Sequence, residues 1–328
     1  MLTRHEKAGK SGITILELLI AMTIFGIMIA VLYPTLSSVS THINELNDKQ
    51  ELTQKGQRVL DYMGEELRLA GLFVGARPSI TYCGEADVNA LTHVDGDPYD
   101  TISFLTSERV RTTKKGFPFL KTSASAAKDG SKITVNVTGN DVSAIKPASA
   151  ARSFITFDTL QPNLGTLVYQ VTNWVTTASE FTISPNLDQN VNAQSNAYTV
   201  VRKQFVVETA GHPRSLRVTK KKSDCDNDND YLISSHGVGH VNGGVDGFQT
   251  EYVMDDGTTA STVAPADIVR VRAIKIWILL RADFPAKDYE DRSSYTLGET
   301  KQSTVGPFND RYRRLLLTRT VEVKNVGF

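Results

Sequence analysis

Residues 13–33, ITILELLIAMTIFGIMIAVLY, form an apolar run of 21 positions that holds one charged side chain, Glu17. At about 1.5 Å of rise per residue, a helix of that length spans about 30 Å, the thickness of a bilayer's hydrocarbon core. The twelve residues before it, MLTRHEKAGKSG, set Arg4, Lys7 and Lys10 against one acid, Glu6. A basic flank of this kind stays cytoplasmic. The run is therefore expected to cross a membrane once.

An ordinary secretory signal peptide has the same basic flank but ends its apolar stretch on small residues at a cleavage site. Here the run ends in Leu32-Tyr33-Pro34-Thr35-Leu36, with no A-x-A pattern. A plain membrane anchor leaves Glu17 unexplained, because a carboxylate in hydrocarbon costs several kcal/mol, as an order of magnitude, unless it is paired. Glu17 therefore calls for a cationic partner.

Beyond residue 34 a mostly apolar helical face continues through Leu36, Val39, Ile43 and Leu46, then Leu60, Met63, Leu67 and Ala70. It weakens at Gln50, Thr53 and Gln57, which predicts an exposed middle and a docked end. Pro34 removes one backbone hydrogen bond and crowds the preceding turn, so a kink or local melting is expected there. The alternative is a spanning helix that stops at Pro34 and a second that starts near Thr35. Gly71 is placed to end the helix as its C′ residue.

After Leu72 the chain turns to short runs of Val, Ile, Thr, Tyr and Phe bounded by Gly, Asn, Asp and Pro, the texture of antiparallel strands. Strands are expected at 101–106, 132–138, 153–158, 166–176, 181–184, 198–208, 215–219 and 248–254. Two longer ones are expected at 268–281 and 312–323. In the first of these the apolar phase changes between Val271 and Ile274, as a β-bulge near Ala273 would produce. The intervals 122–130, 186–196 and 288–306 read as loops. The fold class is α+β, a long N-terminal helix packed on an antiparallel β domain that could hold two subdomains.

Gly12-Ile13-Thr14-Ile15-Leu16-Glu17-Leu18 resembles the prepilin cleavage and methylation motif of type IV pilin-like proteins. The resemblance implies that prepilin peptidase cuts between Gly12 and Ile13, that Ile13 becomes the N-methylated first residue, and that Glu17 pairs with a neighbouring subunit's new terminus. A buried ion pair of that sort sets register better than it adds stability. Ile13 stands where the usual residue is phenylalanine, a departure that minor pilins often show. The stalk end, Arg58 to Gly71, is similar to that of PilW-type minor pilins, as are Val245-Asp246-Gly247-Phe248-Gln249-Thr250-Glu251-Tyr252, Ile268 to Ile274 and Arg313 to Asn325. The division implied is a cleaved leader (1–12), a transmembrane assembly helix (13–34), a stalk helix (35–71) and a periplasmic or extracellular β-rich domain (72–328).

The resemblance also implies a role in priming and assembling a type IV pilus, at or near its tip. The partners implied are other minor pilins, the major pilin, an inner-membrane assembly platform and membrane lipid. The protein would sit in the inner membrane with its C-terminal domain in the periplasm, and later on the pilus at the cell surface. A J-type minor pseudopilin of type II secretion shares the leader and a related sheet, and a tip adhesin with ligand-binding loops is a further alternative.

Other chemistry is sparse. Lys plus Arg and Asp plus Glu both total 36, so nothing points to a broad electrostatic grip on nucleic acid. Cys83 and Cys225 are too few and too far apart for a zinc cluster, and one long-range disulfide fits better than two free thiols. Such a bridge would contribute about 4 to 5 kcal/mol on the chain-entropy model. Asp224, Asp226, Asp228 and Asp230 offer oxygen ligands that would suit calcium, yet the EF-hand glycine and glutamate positions hold Tyr231 and Gly237. A solvated hairpin tip beside Lys220 to Lys222 is the simpler reading, and no cofactor is expected. His236 and His240 sit among glycines that disfavour a helix aligning them. No nucleophile elbow, Walker loop or HExxH run occurs, so no enzyme is expected.

Overall fold

The computed structural model describes residues 14–75, 80–82, 85–116, 118–142, 145, 153–161, 167–174, 177–209, 214–221, 227–234, 243–287 and 289–326. Gly12, Ile13, Cys83, Cys225, Asp224, Asp226, His236 and His240 lie outside them. Contacts divide the chain into one unit that ends at Glu51 and another that begins at Leu52. This boundary falls inside the first helix, whereas the sequence suggested divisions after residues 34 and 71.

Helix α1 is Ile15–Arg68, 54 residues, with Pro34 in its interior. The helix neither melts at Pro34 nor restarts near Thr35. Thr35 Oγ1 donates to the Val31 carbonyl at 3.2 Å, one turn back. Every large apolar side chain between Ile15 and Leu46 that is exposed is at least 49% exposed, and there are eighteen of them. None belongs to the buried core, so this stretch lacks the packing that normally stabilises a helix in water.

From Leu52 onward the same helix is docked. Leu52, Val59, Leu60, Met63 and Leu67 are buried in one large core. The buried face runs through Leu52 and Gly56, while Gln50 and Gln57 are exposed and Thr53 is half-buried. A Cβ on Gly56 would meet Leu317 Cδ1 at 2.0 Å and Leu280 Cδ1 at 2.6 Å, so glycine allows a close approach of helix to sheet. The helix ends in tight i→i−3 bonds from Leu69 and Ala70. Gly71 follows at φ +75, as a C′ glycine does, but its N–H donates to the Leu105 carbonyl at 2.8 Å and not back to the helix. The Arg68 carbonyl is capped by Asn325 Nδ2 at 2.8 Å, so the C-terminal segment closes the helix end.

Seventeen strands follow among the described residues. In order they are Ile80–Tyr82 (β1), Glu85–Val88 (β2), Leu91–Val94 (β3), Thr101–Arg109 (β4), Lys132–Thr134 (β5) and Phe154–Phe157 (β6). Next come Tyr169–Trp174 (β7), Glu180–Ser184 (β8), Ala197–Glu208 (β9), Ser215–Lys221 (β10), Asn227–Ile233 (β11) and Gly244–Met254 (β12). Thr259–Ala260 (β13), Val271–Arg281 (β14), Tyr295–Leu297 (β15), Ser303–Val305 (β16) and Arg314–Glu322 (β17) complete the series. The four-stranded sheet β13-β12-β14-β17 carries the docked half of α1. A nine-stranded sheet runs β11-β10-β9-β6-β7-β8-β5, with β4 pairing both β9 and β3.

The phase change expected near Ala273 is real. Val253 pairs Ala273 while Met254 pairs Val271, so Arg272 is the extra residue of a bulge. The bulge turns Ile274, Ile276, Ile278 and Leu280 to the core under α1, and Trp277 and Leu279 to a small cluster on the other face with Leu297. A second large core, built on Leu105, Phe154, Phe157, Phe181 and Val200, contains no residue of α1. Two of the expected loops differ. Residues 288–306 include the β15–β16 hairpin, and Asn227 to Asp230 are not a hairpin tip but ladder positions of β11. Short edge strands such as β13 and β15 lacked the length to register as alternation in the sequence.

Candidate functional site

Three features stand out, and the first is the beginning of α1. Thr14 caps the helix: its backbone N–H and hydroxyl donate to Glu17 Oε2 at 2.9 and 3.1 Å, and Glu17 N–H donates to Thr14 Oγ1 at 3.3 Å. This is a reciprocal capping box, and the Thr-x-x-Glu spacing at 14–17 already carried it. The carboxylate is the single charge in the apolar run, and among the described residues it is held by its own first turn.

The second is the junction between the docked half of α1 and the sheets. Glu66 accepts from Lys203 Nζ at 2.7 Å, Lys203 also lies 3.6 Å from Glu108, and Lys220 Nζ reaches Glu108 at 2.6 Å. Alternating charges thus run from α1 across β9 and β4 to β10. Asp61 pairs with Arg319 of β17. The Tyr62 hydroxyl, partly buried and beside the Glu66 carboxylate, is pushed up to about 12.

The third is a buried arginine at the start of β17. Arg314, with a side chain 1% exposed, donates through Nε to Asp246 at 2.7 Å and through its NH1 nitrogen to Asp291 at 3.0 Å. It grips both oxygens of Asp310 at 2.7 Å each, and the Phe308 ring covers it at 3.5 Å. Burial alone would lower the pKa of the guanidinium; the hydrogen bonds to Asp310, with the charge and hydrogen bonds of Asp246 and Asp291, outweigh it and raise it. In return, the Arg314 hydrogen bonds hold Asp310 below the usual carboxylate range. Asp291, fully buried, also accepts from the Tyr295 hydroxyl at 3.1 and 3.2 Å and from the Ser293 N–H at 3.1 Å.

This cluster gives physical content to Val245-Asp246-Gly247-Phe248. Val245 pairs Leu280 and Gly247 pairs Leu279, so Asp246 is the extra residue of a bulge. Its carboxylate meets Arg314 there. A Cβ on Gly247 would meet Leu297 at 2.8 Å, so glycine makes room for the β15–β16 hairpin, and Phe248 is fully buried. Further along, Glu251 Oε1 accepts the N–H groups of Glu299, Thr300 and Lys301 at 2.8 to 3.2 Å. Segments 245–252, 289–310 and 314–322 are thus fastened together by buried charges. The sequence marked Asp246 and Arg314 as parts of separate similar segments, while Asp291 and Asp310 carried no such signal.

Among the described residues, no group of three or more His, Cys, Asp or Glu side chains is placed to hold a metal ion. Asp228 and Asp230 lie on β11 opposite Lys220 and Val218.

Residues 205–325 match the family model described as Type IV Pilus-assembly protein W. Residues 7–33 match the Prokaryotic N-terminal methylation motif. Among solved structures, the Type IV-like pilin TTHA1219 from Thermus thermophilus aligns over 84% of this chain and 98% of that chain, at 11% identity and a TM-score of 0.41. A likeness of that degree carries no argument, and the fold rests on the helix and sheets described above. No curated protein matches the chain. The first match covers the end of β9, the sheet that carries the docked half of α1, the Arg314 cluster and Asn325, while the second core falls wholly outside it. The methylation-motif match thus lies at one end of the chain and the pilus-assembly match at the other.

Proposed function

We propose that the protein is a minor pilin that helps prime and assemble a type IV pilus, at or near the filament tip. The observation that carries this reading is the segment Ile15 to Leu46: an exposed apolar helix with a single acid at its start, in a chain whose C-terminal part matches a pilus-assembly family. Each large apolar side chain removed from water contributes about 1.5 to 3 kcal/mol, so such a surface is stable only in lipid or against other helices. Prepilin peptidase cuts between Gly12 and Ile13, Ile13 is methylated, and the subunit waits in the inner membrane with its β domain in the periplasm. Incorporation brings it against other minor pilins, the major pilin and the assembly platform, and finally to the cell surface. Glu17 then exchanges its local contact with Thr14 for a neighbour's terminal ammonium.

Cys83 and Cys225 form a disulfide in this reading. Support comes from their flanks: the Tyr82 hydroxyl donates to the Lys221 carbonyl at 2.8 Å, which brings the residue before one cysteine to the strand that leads into the other. An oxidising periplasm permits the bond.

The test is a gene deletion complemented with wild type or Glu17→Ala, with surface pili imaged and the protein followed in membranes and sheared filaments. Deletion should remove or sharply reduce pili. The Glu17→Ala protein should be cleaved at Gly12 and remain in the membrane. Normal piliation in the deletion strain would overturn the assembly role, and normal incorporation of Glu17→Ala would remove the register argument.

A further inference from the structure

Between β3, β12 and the turn Pro265–Arg270 lies a cavity of about 110 Å³. One water needs about 10–15 Å³ of such space, so this one takes several waters or a small molecule. His93, Tyr252 and Thr262 line it on the polar side, and Val263, Ile268 and Val271 on the apolar side. It lies apart from the Arg314 cluster and from α1, and the assembly reading makes no use of it.

Its unusual member is His93. The side chain is 3% exposed, and Nε2 lies 3.0 Å from Asp100 Oδ2. Asp100, itself 1% exposed, also accepts the Thr250 N–H at 2.6 Å and the Gly96 N–H at 3.0 Å. A buried imidazole thus stands against a buried carboxylate. Neither ring nitrogen has a hydrogen-bond partner among the described residues, and Nε2 faces Asp100 by distance alone. A buried polar atom left unpaired is unfavourable, and a hydroxyl brought against the ring, able to donate or accept, would offset that.

The lining also selects the charge of its occupant. Among the described residues no lysine or arginine lines the cavity, and a buried carboxylate stands behind the histidine, which disfavours an anion there. The Tyr252 phenol, raised in pKa first by burial and then by Asp100, stays protonated and can donate or accept. We propose that this cavity binds a small neutral hydroxyl-bearing molecule of the polyol or single-sugar class. His93 is the polar anchor, and Val263, Ile268 and Val271 form the wall for its carbon face.

The experiment uses the full-length chain in lipid nanodiscs, which carry no sugar headgroups. Saturation-transfer NMR with propane-1,2-diol and with D-galactose is paired with the ¹⁵N resonances of the His93 ring. Wild type should transfer saturation to at least one probe, with a shift at a His93 ring nitrogen. Both signals should be lost in Val263→Phe, which fills the cavity from its apolar wall and leaves the His93–Asp100 pair in place. His93→Phe, which keeps the ring and removes its nitrogens, should lose the saturation transfer in a chain with native chemical-shift dispersion. No transfer to folded wild type would overturn the proposal, as would undiminished transfer in Val263→Phe. A His93 response to Zn²⁺ and to neither hydroxylated probe would overturn it in favour of a metal site.

Discussion

The two halves of α1 are one continuous helix, yet they solve opposite problems. From Ile15 to Tyr33 apolar side chains cover the whole circumference and stand exposed, and from Leu36 to Leu46 they continue as one exposed face. From Leu52 to Leu67 they occupy one stripe, interrupted by Gly56, and that stripe is buried against a sheet. An all-round apolar surface asks for a solvent such as lipid or for many neighbours, whereas a stripe asks for a single surface. The charges follow the same division. Glu17 is satisfied by one local cap and remains available, while Arg314 is enclosed by three carboxylates and committed to the fold.

Substitutions can break this contrast. The largest effect is expected for Arg314→Ala, which leaves Asp246 and Asp291 buried without their cation and should cost the β domain about 3 to 5 kcal/mol in chemical denaturation. Glu17→Ala should leave that midpoint unchanged. Equal effects would mean that the exposed half contributes to domain stability after all.

A smaller and sharper comparison uses one substitution twice. Gly56→Ala places a Cβ against Leu317 and Leu280, and the overpacking should cost about 1 to 3 kcal/mol. Gly26→Ala meets nothing within 4 Å, so only helix propensity changes, a local gain of about 1 kcal/mol that leaves domain unfolding untouched. A neutral Gly56→Ala would show that the helix can lift from β14 and β17 without loss.

The smallest effect is a dependence on pH. Burial, and then the Glu66 carboxylate, push the Tyr62 hydroxyl up to about 12 from 10.0, so the folded state keeps a proton that the unfolded chain releases. The stability tied to that proton is complete below about pH 10 and is lost as pH rises through about 12. Wild type should therefore decline relative to Tyr62→Phe across that window. Parallel curves would place Tyr62 in water and weaken the docked description of this helical turn.

Much of this architecture is legible in the sequence. The apolar run with its basic flank, the helix end at Gly71 and the bulge beside Ala273 are local patterns of period, charge and backbone freedom. The segment Val245 to Tyr252 is legible as a motif but not as a mechanism, since Asp246 acquires its role only when β12 and β17 bring it to Arg314. Gly56 reads as a weak point of a helix until Leu317 is seen against it. Asp291 and Asp310 sit in a polar stretch that reads as loop, because buried charge in a loop leaves no periodic trace.

By itself, then, the sequence determined that the chain has a membrane-length apolar helix with one acid, followed by a stalk and a strand-rich domain, because these are properties of neighbouring residues. Only the tertiary structure decided where the helix passes from exposed to docked, which carboxylates enclose Arg314, and that His93 rests on Asp100 beside a cavity. Each of those facts joins residues far apart in the chain, and their free energies exist only once packing has excluded water from between them.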